Sequence, residues 1–344
     1  MGILYKETAE KIKEYIKNMP YGQLRLPSER EMCELFKVSR QTLRHALDSC
    51  EADGIIERRR GSGIYLTASY FKSRNKAVVL VPGREEYIYP SIIHELEDRF
   101  SECMYSLEVC ETADNSANIE QILRRFLKEP VSVIVIAVIK NAVPTPCDNL
   151  LKQLTEKGTN IVFIGNPYSN LKNYSYVKSD NYYAGYSIAA RVVAGGKPWC
   201  ALFMHDNLSS YDKYLGLTQS LSDLSIEYSP ENIRWFSYED YLMMEHGNNA
   251  SFWTNILKSF SFVPSTFVCD NDAMAYWLFK ALEKTDTNTD EVTVFSFDKS
   301  YLINIIEHNI YSFGTEIALL ASNVVRIATS QKKEKEVITL PSSL

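Results

Sequence analysis

The sequence lacks paired cysteines, long apolar runs and an apolar leader. Its seven cysteines include no Cys-x-x-Cys pair, and an odd number cannot all pair within one chain, so neither a disulfide framework nor a zinc module is expected. The longest apolar stretch, residues 131–139, is far shorter than the roughly 20 residues of a membrane-spanning helix. Residues 1–16 are charged and amphipathic, without the core of a signal peptide. We therefore expect a cytoplasmic protein with no membrane partner.

Common catalytic motifs are also missing. The sequence contains no Gly-x-Gly-x-x-Gly, no Walker loop and no Gly-x-Ser-x-Gly. Its five histidines are scattered and show no metal-ligand spacing. We therefore predict that the chain is not an enzyme and needs neither a cofactor nor a metal.

The charge is distributed unevenly along the chain. The 344 residues exceed one typical domain, and the net charge is −6. Residues 1–68 hold 12 basic and 10 acidic residues, a net charge of +2, whereas the rest holds 25 and 33, a net charge of −8. This asymmetry favours a DNA-binding head on an acidic body.

The first 36 residues predict two helices. An amphipathic helix with Leu4, Ile12 and Ile16 on one face should end near Pro20, because proline cannot continue it. Ser28 can cap a second helix over residues 28–36, and Glu31, three residues later, completes a capping box. The expected apolar face of this second helix consists of Met32, Leu35 and Phe36.

A third helix is predicted over residues 40–52, followed by a β-hairpin. Arg40, Gln41 and Arg44 should lie at its exposed amino-terminal turn, where a recognition helix contacts bases. Strands over 55–60 and 64–67 should form a wing. The residues predicted to face inward on the helix are Leu43, Ala46, Leu47 and Cys50. The residues predicted at the wing tip are Arg58, Arg59 and Arg60.

Three segments of the head carry a family resemblance. LPSERE (26–31), VSRQTLRHAL (38–47) and DGIIERRRGSG (53–63) resemble the winged helix-turn-helix of the GntR family, over residues 5–67. The resemblance implies a domain over 1–68 that binds double-stranded operator DNA. The residues it implies in DNA contact are Arg30, Ser39, Arg40, Gln41, Thr42, Arg44, Arg60 and Gly61. Any one of these arginines could equally be a solvated surface residue, and Arg30 could brace its helix.

The remainder of the chain alternates short apolar strands with helices. Residues 69–76 form a polar linker, and the pattern beyond it predicts an α/β domain over 77–344. The predicted strands are 78–81, 107–110, 133–138, 161–164, 176–178, 201–204, 234–236, 267–269 and 292–297. The predicted helices include 92–101, 119–128, 182–193 and 273–283. So many strands suggest two doubly wound parallel sheets, and hence two lobes with a cleft between them.

Polar and aromatic residues follow several of these strands. Ligands of doubly wound sheets bind outside the carboxyl ends of the strands, which selects Tyr87, Tyr89, Asn166, Asn271 and Asp298. Two readings of the tyrosines stay open, because an aromatic residue can stack on a sugar ring or simply lie at the surface. An aspartate before an apolar helix can serve as its cap, which is the role we expect of Asp272. Trp235 is expected in the core.

The body resembles the effector domain of the lactose-repressor family, which shares its fold with periplasmic sugar-binding proteins. The resemblance lies in VKSDN (177–181), YDKYLGL (211–217), VCDNDAMA (268–275) and VFSFD (294–298). It implies that Asn271 and Asp298 bind the ligand and that Lys213 takes the place of an effector-binding arginine. Lysine lacks the planar fork of arginine, so either the ligand differs from the family's usual one or Lys213 points elsewhere.

Head and body together predict a transcription regulator. We expect a homodimeric repressor whose operator affinity depends on a small polar ligand, a sugar or sugar derivative, bound between the two lobes. The alternative is an enzymatic or protein-sensing body fused to the same DNA-binding head.

Overall fold

The computed structural model describes residues 2–20, 23–194, 196–246, 249–284, 288–305, 310–330 and 334–344. Its first part is the three-helix head with its hairpin, as predicted. The elements are α1 (Gly2–Asn18), α2 (Glu29–Phe36), α3 (Arg40–Ala52), β1 (Ile56–Arg59) and β2 (Gly63–Leu66). The Ser28 side chain accepts a hydrogen bond from the Glu31 backbone N–H, and the Glu31 carboxylate accepts one from the Ser28 N–H at 2.7 Å. The predicted capping box therefore begins α2.

The core of the head forms between α1, α2 and α3. Leu43, Ala46, Leu47 and Cys50 are fully buried, as predicted. The prediction for α2 is wrong at Leu35, which is 52% exposed. Because residues advance by about 100° around a helix, Met32, Cys33 and Phe36 share the inward arc and Leu35 falls outside it.

A short helix, α4 (Ala68–Arg74), occupies most of the segment predicted as a polar linker. Thr67 caps it, and the Phe71 side chain is buried in the core of the head. Met104, from the body, packs against that same core. The Lys72 ammonium also donates to the Ser101 hydroxyl of the body at 3.3 Å. The head therefore contacts the body directly through α4.

The first lobe of the body is a six-stranded sheet in the order β13-β7-β6-β5-β3-β4, with every pair parallel. Its strands are β3 (Lys76–Val81), β4 (Ser106–Glu111), β5 (Val133–Ala137), β6 (Asn160–Ile164), β7 (Ser175–Ser179) and β13 (Val337–Leu340). Its helices are α5 (Tyr89–Glu102), α6 (Ser116–Lys128), α7 (Asp148–Glu156) and α13 (Ile317–Thr329). Helices α5 and α13 cover one face of the sheet, and α6 and α7 cover the other.

The second lobe is a five-stranded sheet in the order β12-β11-β10-β8-β9, and its pairs are also parallel. Its strands are β8 (Trp199–Met204), β9 (Ile233–Phe236), β10 (Thr266–Cys269), β11 (Thr293–Phe297) and β12 (Ile310–Phe313). Its helices are α8 (Asn181–Val193), α9 (Leu208–Asp223), α10 (Tyr238–His246), α11 (Asn249–Lys258) and α12 (Asp272–Leu282). Short 3₁₀ helices span Pro230–Asn232, Thr289–Glu291 and Tyr301–Asn304. All nine predicted strands are present, whereas β12 and β13 were not predicted.

The chain joins the two lobes at one edge. It crosses from β7 to α8 at Asp180 and returns between β12 and α13. Gly314 and Ser343 exchange two backbone hydrogen bonds of 3.0 Å, which tie the return crossing to the last residues of the chain. We refer to these connections between the lobes as the hinge.

Helices α8 and α9 of the second lobe approach each other at two glycines. A Cβ atom at Gly185 would lie 2.0 Å from the Lys213 carbonyl oxygen, and one at Gly216 would lie 2.0 Å from the Tyr182 carbonyl oxygen. Both obstacles are backbone atoms, so the helices would have to separate to admit a methyl group.

We expect Gly185→Ala to destabilise the second lobe by about 1–3 kcal/mol, the usual cost of overpacking. Thermal unfolding of the full chain measures this as a lower midpoint. Ser187→Ala, on the same helix, is the matched control and should change the midpoint much less. Equal midpoints for Gly185→Ala and the unmodified chain would contradict the close helix approach.

Candidate ligand cavity and nucleic-acid interface

A cavity of about 400 Å³ lies between the two lobes of the body. Residues that follow β3, β5, β8, β10 and β11 line it, so the carboxyl ends of parallel strands from both sheets face one another there. This is the position that the sequence predicts for the cleft. Four of the six candidate ligand-binding residues line the cavity, namely Tyr87, Tyr89, Asn271 and Asp298.

Tyr87 connects the two lobes across this cavity. Its hydroxyl donates to the Asp298 carboxylate at 2.8 Å and accepts a hydrogen bond from the Asp272 N–H at 3.2 Å. Both Tyr87 and Asp298 have positive φ angles, 50° and 100°, which residues other than glycine rarely adopt. Burial and the negative charge of Asp298 raise the pKa of Tyr87 well above its usual value, so the hydroxyl keeps its proton and can donate.

The segment after β10 differs from the prediction in one respect. The cap of α12 is Asn271, whose side-chain oxygen accepts from the Met274 N–H at 2.8 Å, and not Asp272. Asp272 is fully buried and accepts hydrogen bonds from the Ser312 hydroxyl and the Ser300 N–H, both at 2.6 Å. Burial, followed by the charge of Asp298, raises the pKa of Asp272 to about 6. Asp272 therefore holds the segments that carry Ser300 and Ser312 against the start of α12.

Lys213 does not line the cavity. It is only 4% exposed, and its ammonium donates to the Asp270 carbonyl oxygen at 2.6 Å. The same nitrogen lies 3.5 Å from the Asp270 carboxylate, to which the Ser210 hydroxyl also donates at 2.8 Å. Of the two readings of Lys213, the structure favours the one in which it points elsewhere, because the ammonium is turned toward Asp270.

Asn166 lies at the junction of the lobes, outside the lining of the cavity. It is buried, and its carbonyl oxygen accepts from the Asn141 side chain at 3.1 Å. Asn141 in turn accepts from the Leu208 N–H of the second lobe at 2.7 Å. Asn166 is therefore part of a hydrogen-bonded contact between the lobes.

Most of the aromatic lining escaped prediction from the sequence. The lining residues not predicted as such include Tyr238, Tyr241, Tyr276, Trp277 and Tyr301. The rings of Tyr241 and Trp277 meet at a centroid distance of 5.0 Å. These residues come from α10, α12 and the helix Tyr301–Asn304, and among 22 tyrosines nothing in their spacing marks them. Trp235, expected in the core, is half-buried and packs against the core of the second lobe, and its ring centre lies 4.9 Å from that of Tyr211 at a tilt of 30°.

Neither a metal site nor a membrane segment emerges from the described ranges. Within them, no cluster of three or more His, Cys, Asp and Glu side chains could hold a metal ion. No described helix is both long enough and apolar enough to span a membrane.

On the head, the candidate DNA-contacting residues gather on one surface around α3. Ser39 caps α3 by accepting from the Thr42 N–H, and Arg40 and Gln41 are exposed in its first turn. Arg44 is exposed and pairs with the Glu29 carboxylate at 3.1 Å. Arg30, on α2, is exposed, and its guanidinium lies 3.3 Å from the carboxylate of Glu34, one helical turn later. This surface is therefore exposed and carries several arginines.

The wing differs from its prediction at Arg58. The Arg58 guanidinium pairs with Asp48 at 2.6 Å and Glu51 at 2.5 Å, so it braces the hairpin against α3 instead of lying at the tip. The alternation of side chains along β1 causes this, because Arg58 points to one face and its neighbours to the other. Arg60 and Gly61, with a φ of 73°, form the exposed turn.

Comparison with known proteins extends these observations. Residues 4–66 match the model of the family "Bacterial regulatory proteins, gntR family". Over 333 residues the chain is 24% identical to the arabinose metabolism transcriptional repressor of Halalkalibacterium halodurans, covering 92% of this chain and 86% of that protein.

Two solved structures resemble the chain in fold. The transcription regulator CcpA of Lactococcus lactis gives a TM-score of 0.66 at 16% identity, covering 78% of this chain and 96% of that one. The complex of the transcriptional regulator CelR with cellobiose gives a TM-score of 0.66 at 17% identity, covering 89% and 90%. The family model confirms the predicted GntR-type head, and the solved structures confirm the fold of the two-lobed body.

We expect Tyr87→Phe to loosen the contact between the lobes, because it removes the hydroxyl that bonds both Asp298 and the Asp272 N–H. Each lost hydrogen bond should cost about 0.5–1.5 kcal/mol, measured as a lower midpoint of thermal unfolding. Small-angle scattering of the full chain should show a larger radius of gyration. Tyr183→Phe, on an exposed face of α8, is the control, and identical behaviour of the two variants would contradict this role of Tyr87.

Proposed function

We propose that the chain is a cytoplasmic, homodimeric repressor whose winged-helix heads bind an operator and whose body binds a sugar that controls this affinity. The observation that carries the proposal is the cavity between the lobes, lined by the carboxyl ends of both sheets, in a chain that begins with a GntR-type head. The arabinose metabolism repressor, which aligns along nearly the whole chain, supports the same reading.

In the proposed DNA complex, α3 enters the major groove by its amino-terminal turn. Arg40 and Gln41 would contact base edges, since arginine suits guanine and glutamine suits adenine. The remaining head candidates would contact phosphates and hold the domain in register, namely Arg30, Ser39, Thr42, Arg44, Arg60 and Gly61. Two such heads on a dimer would bind half-sites about one helical turn apart, or a multiple of it.

In the proposed sugar complex, Asp298 and Asn271 hydrogen-bond the ligand's hydroxyl groups. Tyr87 and Tyr89 would contact its apolar faces, as aromatic rings do with sugar rings. Lys213 and Asn166 would support the site from outside the lining, Lys213 by holding Asp270 and Asn166 by joining the lobes. Sugar that binds the closed arrangement of the lobes more tightly than the open one would shift the equilibrium between them.

The heads would sense this shift through α4. Because Phe71 and Met104 join the head to the first lobe, movement of that lobe in a dimer changes the separation of the two heads. Light scattering of the full chain tests the dimer directly. A monomer at micromolar concentration, with operator binding as a monomer, would contradict the proposal.

Arg40→Ala should weaken binding to an operator selected in vitro by roughly 1–3 kcal/mol and relax the base preference at one position. Fluorescence anisotropy with the selected and a scrambled duplex measures both effects. Arg124→Ala, an exposed arginine on α6, should leave both affinities unchanged. An equal loss of affinity for both duplexes would contradict base readout and show that Arg40 contacts only phosphate.

Asp298→Asn should abolish the response of operator binding to sugar and leave operator binding itself intact. Asparagine keeps the shape of the side chain and tolerates a positive φ, so folding should be preserved. Isothermal calorimetry and operator titration with and without sugar measure the two effects, and Asp98→Asn on α5 serves as the matched control. A normal sugar response in Asp298→Asn would remove this residue from the site.

A further inference from the structure

The lining of the cavity is strongly biased in charge. Four acidic residues contribute to it, Glu85, Glu86, Asp270 and Asp298, and none of the described lining residues is a lysine or an arginine. Asp270 is paired with the buried Lys213, so the bias rests on the other three. A site for a phosphate or carboxylate usually presents at least one such cation, because charge-assisted hydrogen bonds supply most of its affinity. The chemistry of this lining therefore disfavours an anion.

Three lysines adjoin lining residues of the cavity without lining it themselves. Lys213 is buried against Asp270. Lys140, which follows the lining residue Ile139, places its ammonium 4.1 Å from the centre of the Tyr238 ring. Lys299, next to Asp298, donates to the Ser343 hydroxyl at 3.0 Å near the hinge. Lys213 is thus paired with a carboxylate, Lys299 bonds a hydroxyl outside the lining, and Lys140 lies against the ring of Tyr238. None of the three is itself a lining residue of the cavity.

At the amino terminus of α12, two of the first three backbone N–H groups are bonded within the protein. Its Asp272 N–H donates to Tyr87, and its Met274 N–H donates to the Asn271 side chain. The buried Asp272 carboxyl group, in the first turn, already occupies the region where the helix dipole would favour an anion. The aromatic rings add to the bias, since their faces are electron-rich and attract C–H groups and cations.

We propose that the cavity takes a sugar without any anionic group, so that uncharged and amine-bearing sugars bind while phosphorylated and acidic sugars are excluded. This inference rests on the proposed sugar-binding function and specifies its ligand class. The carboxylates would accept hydrogen bonds from ligand hydroxyl or ammonium groups, while the tyrosine and tryptophan rings would cover the ring's C–H faces. A phosphate placed there would lie against the carboxylates of Glu85, Glu86 and Asp298, and no lysine or arginine is among the described lining residues to offset the repulsion.

The test is a charge series on matched rings, run on the full chain by thermal unfolding and calorimetry. The probes are glucose, glucosamine, glucuronate and glucose 6-phosphate, with arabinose and arabinose 5-phosphate, and galactose and galacturonate, as further matched sets. In at least one set the uncharged member should bind, and its anionic counterpart should bind at least about tenfold more weakly at low salt. An anionic member that binds as tightly as its uncharged counterpart would overturn the inference.

A charge-reversed variant sharpens the experiment. Glu85 is exposed and lines the cavity, so Glu85→Lys should fold normally. The variant should also reduce the ratio of affinities, which we call the affinity gap, between the uncharged and the anionic members of a set. The effect of Glu85→Lys on this affinity gap should be smaller at about 1 M salt, because exposed charges are screened there. Glu97→Lys, an exposed position on α5 away from the cavity, makes the same charge change and should leave the gap unchanged. An equal effect of both variants would contradict a local origin of the selectivity.

Operator titration with the same probes separates this inference from the proposed function. An uncharged sugar that binds but does not alter operator affinity supports the inference and contradicts the proposed regulation. An anionic sugar that binds tightly and alters operator affinity contradicts the inference and supports the proposed regulation. Failure of every probe to bind would overturn both.

Discussion

All strand pairs described in the two body sheets are parallel, and this constraint determines where the molecule can bind a ligand. Parallel strands place their carboxyl ends at one edge of each sheet, and the hinge brings these two edges face to face. The polar loops that emerge there cannot be buried in either core, so they meet in a shared cavity. Both faces of each sheet pack against helices.

The same arrangement places polar contacts between the lobes at and beside the cavity. Tyr87 reaches from the first lobe to Asp298 in the second at the cavity, and Asn141 joins Leu208 outside its lining. The relative position of the lobes therefore depends on a few polar contacts. A ligand hydroxyl can replace contacts of this kind at little net cost, since each is worth only about 1 kcal/mol. The head is attached to the first lobe by α4, which gives that movement a route to the DNA-binding surface.

The head and the strand–helix order of the body could be predicted from the sequence because their signals are local. Capping by Ser28 and Glu31 and the buried face of α3 depend on residues a few positions apart. Strands β12 and β13 were missed because they are four-residue edge strands with partly exposed side chains, which leave no continuous apolar run. The orientation of Lys213 and the aromatic lining depend on packing between distant elements, such as α9 with β10 and α10 with α12, which no local pattern records.

The central claim is that sugar binding and operator binding are coupled through one conformational equilibrium of the chain. If sugar changes operator affinity by some factor, operator must change sugar affinity by the same factor, since the coupling free energy is shared by both sites. The most direct measurement is therefore the calorimetric affinity of the full chain for its sugar, with and without saturating operator. We predict a change equal to the change that the sugar causes in operator affinity. Identical sugar affinities for the free and the DNA-bound chain would contradict the account.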